Sequence, residues 1–162
     1  MYEKIMVPLD GSRFSNRALQ YATDLAPRYG AALLLVQVVE PTTIVPAIDP
    51  TGLSSPVATR YSVETAVQQD NRNLSKVKRY LAGKVRDLKE DGISAEYKAL
   101  QGEPADEIIK LGKKEKVDLI VMATHGRSGF RRAIMGSVAD KVIRKSGDPV
   151  LVVRPKQQRR KK

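Results

Sequence analysis

The sequence predicts an α/β fold: an open five-stranded sheet, mostly parallel, with helices on both faces. Three observations carry this expectation. Ala31 to Val39 is a run of nine residues in which only Gln37 is polar, the pattern of a strand covered on both faces. Other short apolar runs alternate with stretches whose apolar residues recur at three- and four-residue steps. The alternation continues along the chain to give five strands and four helices, the arrangement of a sheet wound with crossover helices.

Each element follows from its residues. Lys4 to Leu9 is an apolar strand, and Asp10-Gly11-Ser12 follows at its C-terminal end. Ala18, Ala22, Leu25, Ala26 and Tyr29 then fall on one helical face, and Gly30 stops the helix. After the strand at Ala31 to Val39, Glu40 to Ser62 reads as a long loop, with Pro41, Pro46, Pro50, Pro56 and Gly52 among serines and threonines. Loops of this length are functional lids or tolerated insertions. Leu74, Val77, Leu81, Val85 and Leu88 mark the longest amphipathic helix, ending near Asp91-Gly92. Ile93 to Leu100 alternates apolar and polar residues and suits an exposed, edge-like strand. Gly102-Glu103-Pro104 opens a helix whose inner face holds Ala105, Ile108, Ile109 and Gly112. Val117 to Val121 is a buried strand. Val138, Ala139, Val142, Ile143 and Ser146 share one helical face, and Asp148-Pro149 leads into a last short strand, Val150 to Val153.

At 162 residues the chain is most simply one domain, residues 1–154, with a basic flexible tail at 155–162. From Arg154 to Lys162 there are six basic residues and no acidic one, which is more than half of the net charge of +11. Such a tail can hold nucleic acid, but this one has no aromatic residue on which a base could stack, and a solvated end is the favoured reading. Zero cysteines exclude disulfides, thiolate catalysis and cysteine-ligated metal. A single histidine, His125, excludes a histidine-rich metal site. With no apolar run long enough to span a bilayer and no signal-like start, a cytoplasmic location without a membrane partner is expected.

The stretch from Met122 to Ser137 stands out. It places three glycines and three arginines (Arg127, Arg131, Arg132) between a strand and a helix. Glycine lets backbone N–H groups approach an anion, and a helix start supplies unsatisfied ones. Ser137 is expected as the N-cap, its hydroxyl serving the helix or a phosphate oxygen. An ordinary strand-to-helix connection would use the same residues. In open α/β sheets ligands sit outside the C-terminal ends of strands where strand order reverses, so the strands before Asp10 and before Ala123 should flank the crevice. Asp10 there is either a ribose or cation contact or a turn residue bonding its own backbone.

Val7-Pro8-Leu9-Asp10, Gly102-Glu103-Pro104-Ala105, the spacing Ala123, Gly126, Gly136-Ser137, and Pro149 to Val153 together resemble the universal stress protein family, over essentially the whole chain from Tyr2 to Arg154. The ATP-binding branch carries Gly, two residues, Gly, nine residues, Gly, then Ser or Thr. Here Ala123 stands at the first glycine. The resemblance implies a Rossmann-like fold of the adenine-nucleotide-binding type, with ATP as ligand and magnesium possible beside it. It implies Asp10 on the ribose, the main chain of Val38 on the adenine edge, and Ala123 as a main-chain contact. Gly126, Arg127, Gly136, Ser137 and Val138 would surround the phosphates. It also implies a homodimer through the last strand. The phosphate motifs G-x-x-x-x-G-K-S/T and G-x-G-x-x-G are absent, as is a Gly-Gly pair after the first strand. The expected function is a nucleotide-dependent regulatory or binding module with slow or no hydrolysis and no assigned catalytic residue. The rivals are an enzyme that hydrolyses ATP or transfers its phosphoryl or adenylyl group, and an interaction module with a vestigial nucleotide site.

Overall fold

A computed structural model describes residues 2–44, 56–124 and 135–154. Its elements are β1 (Lys4–Pro8), α1 (Arg13–Tyr29), β2 (Ala32–Val39), α2 (Pro56–Glu90), β3 (Ala95–Gln101), α3 (Pro104–Glu115), β4 (Leu119–Ala123), α4 (Ser137–Lys145) and β5 (Val150–Val153). The sheet order is β3-β2-β1-β4-β5, and every neighbouring pair is parallel. The two edges are therefore β3, the strand that alternates in sequence, and β5, the short last one.

Parallel pairing needs a crossover helix between strands, and the four helices divide over two faces. Ile5, Val7, Leu33, Leu35 and Val121 pack with Ala18 and Ala22 of α1 and with Leu81, Val85 and Leu88 of α2. The opposite side chains, Met6, Leu34, Val36, Ile120 and Met122, pack with Ala105, Ile108 and Leu111 of α3 and with Ala139 and Val142 of α4. With both faces covered, β2 could spare no polar residue until Gln37.

Local signals set the helix ends. Ser12 caps α1, its hydroxyl accepting the N–H of Ser15 at 3.1 Å. Gly30 closes it at φ 67°, its N–H donating to Ala26, a left-handed conformation that costs glycine no Cβ clash. The C-cap of α3 is Lys116 at φ 52°, with no glycine to ease it.

One boundary differs from expectation. Helix α2 begins at Pro56, inside the stretch 40–62 read from sequence as loop. Proline disfavours a helix interior but suits a first turn, where its missing N–H has no partner to lose. Residues 45–55 and the tail 155–162 lie outside the described residues. At 35 residues α2 is roughly 52 Å long, against roughly 26 Å for the 8 residues of β2. It therefore overhangs the C-terminal edge of the sheet. Asp70 fixes that overhang: it accepts from the N–H (3.1 Å) and hydroxyl (2.6 Å) of Thr42 and from Nε2 of Gln101 (2.9 Å). Among the described residues no helix is long and apolar enough to cross a membrane.

Candidate functional site

Successive strands are laid from β1 outward to β3, and the chain then returns to the other side of β1 with β4. Neighbours β1 and β4 thus send their crossovers to opposite faces, leaving a crevice outside their carboxyl ends. A cavity of about 660 Å³ lies there, a volume typical of small-molecule sites. Asp10, Val38, Ala123, Gly136, Ser137 and Val138 all line it. Gly126, Arg127 and His125 lie outside the described residues.

The backbone of β2 provides one end of the crevice. Leu9 N–H donates to the Val36 carbonyl at 2.7 Å, and this is the last rung between β1 and β2. On the other side Gly102 N–H donates to Val39. Alternation along a strand turns Val38 the same way as Val36, toward β1, but β1 has already ended. The N–H and C=O of Val38 therefore face the crevice.

Asp10 sits at the tip of β1. Its Oδ1 accepts the N–H of Ser12 at 2.9 Å, the turn bond anticipated for an Asp-Gly sequence. Burial pushes its carboxyl up, yet the hydrogen bonds from Ser12 and Ser15 and from the backbone prevail and hold it below the usual carboxylate range. It is thus an anion at neutral pH, facing the cavity.

The other end is the start of α4. Ser137 is not the N-cap expected from sequence: the cap is Gly136, at φ −61° and ψ 147°, and Ser137 is the first helical residue. The cap has no side-chain hydrogen bond, whereas Ser12 caps α1 and the Glu103 carboxylate caps α3 through the Asp106 N–H at 2.8 Å. Among the described residues no side chain accepts from the first N–H groups of α4, a helix start that suits an anion. Lys141 fixes this end, with Nζ 2.8 Å from Asp106 and 3.1 Å from Glu103. The crevice thus offers a main-chain donor and acceptor, a carboxylate, and a helix start suited to an anion.

A family model described as the universal stress protein family matches residues 1–154. The chain belongs to the universal stress protein family. Universal stress protein MJ0531 of Methanocaldococcus jannaschii is 34% identical over 159 residues, covering 98% of this chain and 86% of its own. The solved structure of protein MJ0577, from the same archaeon, aligns with a TM-score of 0.80 at 26% identity, covering 98% of this chain and 99% of that one. A universal stress protein from Archaeoglobus fulgidus, solved in complex with dAMP, shares the fold at a TM-score of 0.55 and 21% identity, covering 93% and 97%.

Within this universal stress protein, Ala123 closes β4 in extended conformation and has no positive φ. Alanine in place of the glycine of the ATP-binding motif therefore imposes no backbone strain. Among the lining residues that sequence reasoning missed are Ser15, Gln37, Asn73 and Lys76. Asn73 and Lys76 reach the crevice only because α2 overhangs the sheet. Gln37 had a visible signal, being the lone polar residue in its run.

Proposed function

We propose that this universal stress protein binds ATP in the crevice and works as a nucleotide-dependent regulatory or binding module. The observation that carries the reading is the convergence of Asp10, the Val38 backbone and the glycine-capped start of α4 on one cavity of about 660 Å³. Asp10 accepts from ribose hydroxyls, Val38 reads the adenine edge, and Ala123 lends main-chain contact. Gly136, Ser137 and Val138 receive phosphate, together with Gly126 and Arg127. A fold relative solved with dAMP supports the class of ligand. Magnesium accompanies the triphosphate, with Asp10 the carboxylate at hand among the described lining residues.

The working unit is residues 1–154, in the cytoplasm, as a homodimer joined through β5. Mass spectrometry of the small molecules released on denaturing the purified protein, with calorimetric titration of added ATP, tests the reading. Co-released adenine nucleotide or a saturable ATP isotherm supports it. Absence of both removes it.

A further inference from the structure

Among the described residues, one buried polar atom beside the crevice lacks a partner. The face of β2 that carries Leu33 and Leu35 into the core under α1 and α2 turns polar at its next position, Gln37, where the strand reaches the cavity. Gln37 is only 7% exposed. Its Oε1 is buried, and among the described residues no donor reaches it. Burying an amide oxygen is costly unless it is hydrogen-bonded, so native interiors give such groups a partner. Turning the carboxamide end for end puts an N–H2 in the same spot with the same need. The position asks for a ligand group.

The next residue narrows which group. Val38 turns its N–H and C=O into the same crevice, so two consecutive residues present a main-chain donor, a main-chain acceptor and a carboxamide. A carboxamide is complementary to the adenine edge, where the 6-amino donor lies beside a ring-nitrogen acceptor. We propose that Gln37 is a specificity-determining residue of the crevice, its carboxamide hydrogen-bonding the 6-amino group of bound adenine. The inference rests on the adenine-nucleotide reading above and names the contact that selects the base.

A double-mutant cycle tests it, with ligand and protein each changed at one group. Titrate ATP and purine riboside 5′-triphosphate, which has hydrogen in place of the amino group, into the wild-type chain, Gln37→Met and Gln37→Leu. The wild type should prefer ATP by on the order of tenfold, the effect of one buried hydrogen bond. Both variants should reduce that preference to about twofold or less by losing ATP affinity, with the analogue's affinity little changed. Without ligand, both variants should melt at or above the wild-type temperature, because they replace an unpaired buried amide. An unchanged ATP preference in the variants overturns the proposal, as does a melting temperature lowered in both. Coupling to 2′-deoxy-ATP or 3′-deoxy-ATP in place of the amino deletion also overturns it, since Gln37 would then serve the ribose. Normal ATP binding with any of these results removes this inference alone. A wild-type chain that binds no ATP removes the function reading with it.

Discussion

The backbone N–H of Gly136 donates to the carbonyl of Thr124 at 2.7 Å, closing the connection from β4 to α4 into a ring. That bond sets Ser137 at the cavity wall with its hydroxyl unspent among the described residues. Ser137→Ala should weaken ATP binding by about 0.5–1.5 kcal/mol, the net worth of one hydrogen bond. Gly136→Val should cost more. At φ −61° the backbone accepts a side chain, so the reason for glycine is close approach, and a branched Cβ obstructs it. Calorimetric titration of both variants, with melting curves to confirm folding, measures the difference. Equal affinity in Gly136→Val and wild type would place the phosphates elsewhere.

Asp10 gives the site a pH signature. Its folded-state carboxyl ionises below the usual range of about 3.9. A lowered pKa contributes stability that is fully present above the unfolded value and is lost as pH falls through the folded one. Wild-type stability should therefore decline below about pH 4 more steeply than that of Asp10→Asn. The asparagine keeps an Oδ1 for the Ser12 N–H and has no proton to gain. Urea midpoints between neutral and strongly acid pH compare the two, and parallel curves would mean that Asp10 is solvated like an ordinary surface carboxylate.

Much of this architecture is written locally, and the exceptions around α2 share one cause. The run from Ala31 to Val39 declares a strand with two buried faces because both of its faces are in fact covered. Helix α2 was legible only from Leu74 onward, where Leu81, Val85 and Leu88 meet the sheet. Its first part overhangs solvent, and of its described side chains before Leu74 only Ala66 is buried, so no apolar stripe announces it. Pro41, Pro46, Pro50 and Pro56 then made a helix start resemble more loop. Asn73 and Lys76 were invisible as lining residues for the same reason, since their place depends on where the overhang lies.

Lys116 has no sequence signal either. It holds φ 52° and ψ 55° at the C-cap of α3, and its N–H reaches the carbonyls of Gly112 and Lys113. A residue with a Cβ pays about 1–2 kcal/mol for this region, which glycine avoids. Glycine also has more freedom to lose from the unfolded chain, which offsets part of the gain. Lys116→Gly should stabilise the fold by about 0.5–1 kcal/mol, seen as a higher urea midpoint at unchanged slope. A lower midpoint would show that the lysine stem packs more usefully than its backbone suffers.

Strand β5 leaves one edge of the sheet apolar. Val150 to Val153 is four residues with no charge or proline to deter pairing, and Leu151 is 37% exposed. Unpaired backbone on such an edge templates another strand, and two copies related by a two-fold axis satisfy each other. Light scattering at micromolar concentration should give twice the chain mass. Leu151→Lys should shift it toward the monomer, and Val152→Pro should do so by removing a ladder donor. A monomeric wild type would leave β5 a bare edge.

Whether the crevice holds ATP or consumes it turns on what stands beside the phosphates. Phosphoryl transfer needs a positioned nucleophile, metal-held phosphates and charge stabilisation in the transition state. Among the described residues the cavity presents two carboxylates, Asp10 and Glu40. The Oδ1 of Asp10 accepts the Ser12 N–H, and Glu40 directly follows β2, the strand that carries Val38. That supply suits holding a nucleotide better than attacking it, so Mg-ATP should persist with hydrolysis slow or absent. The ligand would instead bridge Val38 to the start of α4, adding to the link that Gly102, Glu103 and Lys141 already make between these segments. Amide exchange should slow on adding Mg-ATP in the stretch 126–135, which begins outside the described residues, and in 40–55 up to the start of α2. Equal exchange in both states would refute a nucleotide switch. Steady multiple-turnover release of ADP, abolished by Asp10→Asn or His125→Ala, would make the protein an enzyme.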